Sequence, residues 1–249
     1  MSFLDRLFGS KAKSTETPPT PRVEPTPIFP HELIRVPGTD AVFQALAWRE
    51  VWRGSFTPVV LGPKNDFDMI ADVWDEVKES PQDFIQRAQA VNLPAWLEKR
   101  LGESSPLEDL TDESAWNMVT AASGDFATVT NSSSGKPYPW VWVAKVPTTQ
   151  PCEVPAWLKL GGWNACPNTE EHVALWRQWQ EKYGAEILCV TGDVIEATVA
   201  RPPEDKEACY VLAREQFAYC DDIVTQGVGT IDALAASLRG SKSWFFWWD

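Results

Sequence analysis

The seven residues Ser243-Trp244-Phe245-Phe246-Trp247-Trp248-Asp249 restrict the fold more than any other stretch of this chain. Five of them are large aromatics, and so much apolar area must be covered by the rest of the molecule. Read with a period of two, Trp244, Phe246 and Trp248 face one way, Phe245 and Trp247 the other. Aromatics on both faces predict a strand covered on both sides, interior to its sheet.

The segments before it say what would cover it. "WVWVAKVP" (140–147) alternates and is rich in β-branched residues, so it predicts a strand. "NTEEHVALWRQWQEKYG" opens on a cap at Asn168 or Thr169 and stops at Gly184. It sets His172, Trp176, Trp179 and Tyr183 on one helical stripe. "AEILCVTGDVIEATVA" predicts a hairpin of strands 186–190 and 194–200, turning at Gly192-Asp193. "RPPEDKEACYVLAREQFAYC" predicts a Pro-started helix with Ala208, Leu212, Glu215 and Tyr219 down one side, and "GTIDALAASLRG" a second helix over 230–240. Strands followed by helices in this order predict an α+β fold, a mixed or mostly antiparallel sheet with helices packed on it.

The first half is less sharply patterned. "TDAVFQALAWREVW" predicts a helix capped by Thr39 or Asp40, "FTPVVLG" a buried strand ended by Gly62, and "NDFDMIADVWDEVKE" a helix burying Met69, Ile70, Val73, Trp74 and Val77. "SPQDFIQRAQAVNLPAWLEKRLG" predicts a further helical stretch from Ser80 and Pro81 to Gly102. Residues 104–139 are polar and predict a long surface excursion. Residues 10–30 are rich in Pro, Thr, Ser and charge and cannot bury a core, so 1–28 predict a disordered tether. The tether begins with a short amphipathic stretch, "MSFLDRLFG", and residues 1–9 are the one place that could touch a membrane or a partner, a frayed start with no role being the equal alternative. The expected organisation is this tether, an N-terminal α/β segment over 29–139 and an α+β core over 140–249, the last two forming one globular unit.

Four stretches read together carry a resemblance: "LGGWNACP" (160–167), "YGAEILCVTGDVIEATVARPP" (183–203), "AREQFAYCDDIVTQGVGTIDALAASL" (213–238) and the closing "SWFFWWD". In their order and spacing the chain resembles the domain-of-unknown-function family 4253, closely over about residues 140–249. The resemblance implies a bacterial source and a shared α+β fold. It implies no reaction and no catalytic residues.

Composition narrows the function. The formal net charge of −13 disfavours nucleic acid as a partner and permits a basic protein. Five widely spaced cysteines, none in a C-x-x-C pair, predict buried thiols in a reducing compartment. With no secretory signal or membrane span legible, the expected location is the cytoplasm. Only two histidines are present, which argues against a His-based metal site, and no cofactor motif occurs. The 14 Trp against 4 Tyr predict a Trp-rich core ahead of a Trp-lined groove.

The residues with most chemistry to offer are Trp163 and Asn164 after the Gly161-Gly162 turn, together with His172 and Asp193. They predict a ligand- or partner-binding corner. The leading expectation is a non-enzymatic protein-binding protein of the immunity or antitoxin kind that meets a basic toxin. The alternatives are a small-molecule-binding protein or enzyme with a Trp-lined pocket near Trp163 and Asn164, and a peripheral protein tethered through residues 1–28.

Overall fold

The computed structural model describes residues 29–104, 106–119 and 124–249. The expected tether and its amphipathic start lie outside the described residues.

Six strands form one sheet: β1 (Glu32–Val36), β2 (Thr57–Gly62), β5 (Val141–Val146), β6 (Ala185–Val190), β7 (Val194–Val199) and β8 (Ser243–Trp247). Their order across the sheet is β1-β5-β2-β6-β7-β8. Neighbours run antiparallel except β2 and β6, which run parallel and meet at Val60 and Cys189. The sheet is therefore mixed and the fold α+β, as the segment order predicts. A two-stranded ribbon of β3 (Thr130–Asn131) and β4 (Lys136–Pro137) stands apart.

Helices cover both faces. On one lies α1 (Gly38–Val51), packing over Ile34, Val36, Val60, Val143 and Leu188. Arg49 fixes it to the sheet by donating to Glu186 Oε2 at 2.8 Å and to the Ile187 carbonyl at 2.8 Å. On the other face lie α2 (Lys64–Glu76), α3 (Pro81–Ala88), α4 (Leu93–Glu103), α6 (Val154–Leu158), α7 (Thr169–Tyr183), α8 (Lys206–Tyr219) and α9 (Ile231–Leu238), with the short α5 (Ala115–Met118) between α4 and the ribbon in the chain. The predicted stripe on α7 is buried as expected: His172, Trp176 and Trp179 are fully enclosed and Tyr183 nearly so. With Tyr219 of α8 and Trp244 and Phe246 of β8 they form a continuous aromatic core, in which Trp179 stacks on Phe246 at 5.6 Å.

Several expectations need correction. β8 is a strand, but it closes the edge of the sheet and, among the described residues, pairs only with β7. Trp244, Phe246 and Trp248 are buried, while Phe245 on the other face is 45% exposed. The reason is the placement of α1, which covers the β1–β6 end of its face and leaves β8 bare. β1 was not anticipated, since it is buried on both faces by Leu33, Ile34 and Val36, and the exposed Glu32 and Arg35, on opposite faces, leave no alternation to read. The helical stretch from Ser80 is two helices; Asn92 caps the second by accepting from Ala95 N–H, and α4 runs through Gly102. α1 starts after Pro37 without a side-chain cap, and α8 starts at Lys206 with Asp205 as cap rather than at the prolines. Met69 is 51% exposed, and Phe67 takes its place in the core. Between α8 and α9 the chain makes a π-helical turn, Ile223–Val228, closed by Gly229 N–H on the Val224 carbonyl.

Candidate functional site

The loop 160–167 folds back on itself through three residues with positive φ: Gly161 at 108°, Gly162 at 82° and Asn164 at 46°. Only glycine fits at 161, because a Cβ there would lie 2.1 Å from the Pro167 carbonyl oxygen and 2.9 Å from His172 Cδ2. Asn164 is one of the few side-chain-bearing residues that tolerate this backbone region. The tight turn presses the loop onto the His172 ring and aims Trp163 and Asn164 at the end of β8.

All four candidate residues meet there. Trp163 lies edge-on to Trp248 with ring centres 6.5 Å apart, and His172 does so at 5.8 Å. Asn164 Nδ2 donates to the Asp249 carbonyl at 2.7 Å. Trp248 N–H donates to the Asp193 carbonyl at 3.1 Å, and Thr191 Oγ1 fixes that turn by donating to Asp193 Oδ1 at 2.8 Å. The cleft between them has a volume of only about 10 Å³, room for one water at most. Trp248 fills what the sequence offered as a ligand corner. The four residues form a clamp on Trp248 and Asp249, just past the end of β8.

Behind the clamp runs a buried polar chain. Trp176 Nε1 donates to the Tyr219 hydroxyl oxygen at 2.9 Å, and that hydroxyl lies 2.6 Å from His172 Nδ1. A fully buried hydroxyl that already accepts one bond satisfies its own proton by donating it, here to Nδ1. His172 then carries its proton on Nε2, which points at Cys166 Sγ 3.3 Å away. The imidazole donates to the sulfur and has no free lone pair with which to deprotonate it. Burial, with a further push from Arg100, lowers the His172 pKa to about 3. The Cys166 thiol is pushed well above its ordinary value, first by burial and then by Cys220. Neutral thiol beside neutral imidazole is a packed arrangement and not an activated nucleophile. Cys220 is pushed up to about 12, mainly by burial, with Asp222 and Asp221 adding to it. All five cysteines are free and buried, as expected. Among the described residues no group of three or more His, Cys, Asp and Glu side chains could hold a metal ion. No helix among them is long and apolar enough to cross a membrane.

The sequence reading missed the opposite side of β8. Lys242 O accepts from Val199 N–H, and Trp248 N–H donates to Asp193 O. With no register shift between them, the even-numbered residues turn their main-chain groups toward β7, and 243, 245 and 247 turn theirs outward. The outward carbonyl of Ser243 accepts from Ser241 Oγ at 2.7 Å, and that of Trp247 accepts from Cys220 Sγ at 2.9 Å. The N–H and C=O of Phe245 between them have no hydrogen-bond partner among the described residues. Beside this free edge runs a groove of about 250 Å³ between β8 and the π-helical turn and α9, walled by Ile223, Val228, Leu234 and Leu238. Asp222 stands at one end, and Gln216 of α8 also lines it. A signal was present in the sequence: Gln216 interrupts an otherwise apolar face of Leu212, Ala213 and Phe217.

No curated protein and no solved structure matches this chain. One family model does, and the match begins inside β5 and takes in the clamp, the free edge of β8 and the groove while leaving β1 and β2 outside. Residues 142–249 match the family described as "Domain of unknown function (DUF4253)", and it is this family that the C-terminal part of the chain resembles.

Proposed function

We propose that the chain is a non-catalytic protein-binding protein that takes up an extended, basic segment of a partner by adding it as a strand to β8. The observation that carries this is the edge of β8 at Phe245, whose outward main-chain groups have no partner among the described residues and face an apolar groove. Strand addition draws its affinity from main-chain hydrogen bonds and its selectivity from the side chains that alternate along the added strand. An added strand here would point every second side chain toward Ile223, Val228, Leu234 and Leu238. Asp222 at the groove end and the net charge of −13 favour Lys or Arg among the remaining side chains. The clamp supports the same reading, since an edge held in place before binding loses little entropy on binding. A basic toxin neutralised by an immunity protein is a partner of this kind.

The test is selection from a displayed library of random dodecapeptides. Enriched sequences should alternate apolar and basic residues and bind more weakly as salt rises. Phe245→Pro removes the outward N–H without touching the β7 ladder and should abolish binding, while Phe245→Ala should only weaken it. No enrichment, or binding indifferent to Phe245→Pro, overturns the reading. So does a second copy of the chain in the groove, seen as concentration-dependent dimers that Phe245→Pro dissociates.

A further inference from the structure

Gln216 is 1% exposed, and its Nε2 has no hydrogen-bond partner among the described residues. It lines the β8 groove, as does Trp244, whose buried Nε1 also lacks a partner among the described residues. A buried amide that donates to nothing weakens the fold, and an apolar residue of the same size would remove the cost. Gln216 lies on the helical side of the groove. The main-chain groups of a strand added to β8 lie in the plane of the sheet, so α8 is within reach of that strand's side chains rather than its peptide groups.

Resting on the strand-addition reading, we propose that Gln216 is the specificity-determining residue of the groove and donates its Nε2–H to a neutral side-chain amide, Asn or Gln, at one groove-facing position of the bound segment. A hydrogen-bond acceptor is needed because the orphan atom is a donor. A neutral amide fits better than a carboxylate because Asp222 stands at the same groove and repels a second negative charge. Sites built around an orphan donor discriminate strongly, since a ligand without the acceptor leaves that donor unpaired again.

The experiment uses the full chain and the selected dodecapeptides. Enriched peptides should carry Asn or Gln at one groove-facing position, and replacing it by Leu should cost tenfold or more in Kd on the native chain. Gln216→Met should raise the melting temperature by about 2–4 °C, bind the amide peptide at least tenfold more weakly, and lose the preference for amide over Leu. Gln216→Leu, which likewise deletes the donor, should lose the same preference. Peptides that bind, are lost with Phe245→Pro and show no amide preference would overturn the role of Gln216 while leaving strand addition standing. A fall in melting temperature with equal weakening toward every peptide would make Gln216 a structural residue and overturn the proposal. No enriched peptide would overturn both.

Discussion

Lowering the pH from 7 to 5 destabilises this protein through its buried imidazoles, and the share of His172 can be isolated. His172 is fully enclosed and its pKa lies at about 3 in the folded chain, against an ordinary 6.5. A group whose folded pKa is depressed contributes stability that is present above its unfolded pKa and lost as the pH falls toward the folded one. For His172 the window runs from pH 6.5 down to 3. Each pH unit inside it costs about 1.4 kcal/mol, so the 1.5 units down to pH 5 cost about 2 kcal/mol. The assay is urea unfolding at pH 7 and pH 5, followed by tryptophan fluorescence, on the native chain and on His172→Gln. Gln carries no charge at either pH. The variant is the less stable of the two at pH 7, because it breaks the link from Tyr219 to Cys166, but the gap narrows by about 2 kcal/mol at pH 5. His31, also buried with its pKa lowered and bonded to the Trp157 carbonyl at 2.8 Å, is common to both proteins and drops out of the difference. Equal losses in the two proteins would refute the claim that His172 stays neutral in the fold, and with it the tautomer that makes it a donor to sulfur.

Gly161→Ala should lower stability by about 3 kcal/mol or more, seen as a fall in melting temperature, because the new Cβ meets the Pro167 carbonyl where φ is 108°. Glu196, 2% exposed, accepts from Ala127 N–H at 2.6 Å and Thr128 N–H at 3.1 Å, and burial raises its pKa. A raised folded pKa means that stability is lost as pH rises through it. The native chain should therefore gain stability on moving from neutral pH toward 4.5 relative to Glu196→Gln, in the same unfolding assay. Deleting residues 244–249 removes Trp244, Phe246 and Trp248 from the aromatic core and should leave a chain without a cooperative unfolding transition, checked by calorimetry.

The elements after residue 140 were legible because their apolar residues recur at helix or strand period with caps and turn glycines in place. The position of β8 was not. Alternation along one strand states which residues share a face, but cover for that face comes from elsewhere, and α1 reaches only part of it. Sheet order was hidden for the same reason: β5 inserts between β1 and β2 from about a hundred residues away, and no local pattern records that. Trp163, Asn164, His172 and Asp193 were legible as a group with unusual local chemistry. Their object was not, because Asn164 meets Asp249 across 85 residues of sequence. The groove escaped because its walls are ordinary apolar residues of three elements, and only Gln216 broke the pattern.

The clamp holds the two residues that follow β8, the groove runs along its open edge, and Asp249, held by Asn164 and by Asp222, joins the two. An exposed aromatic edge invites unspecific pairing unless it is short, fixed and partly satisfied. β8 is five residues long. Its outward carbonyls at Ser243 and Trp247 are taken by Ser241 and Cys220, so that Phe245 alone of the three keeps an outward carbonyl with no partner among the described residues. Trp248 is held by rings on one side and by the Asp193 carbonyl on the other. A protein that only needed to end its sheet could have placed a polar residue at 245 and an apolar one at 216. This chain places an aromatic ring on the open edge and, beside it, an amide with no partner among the described residues, an arrangement that fits the strand addition proposed above.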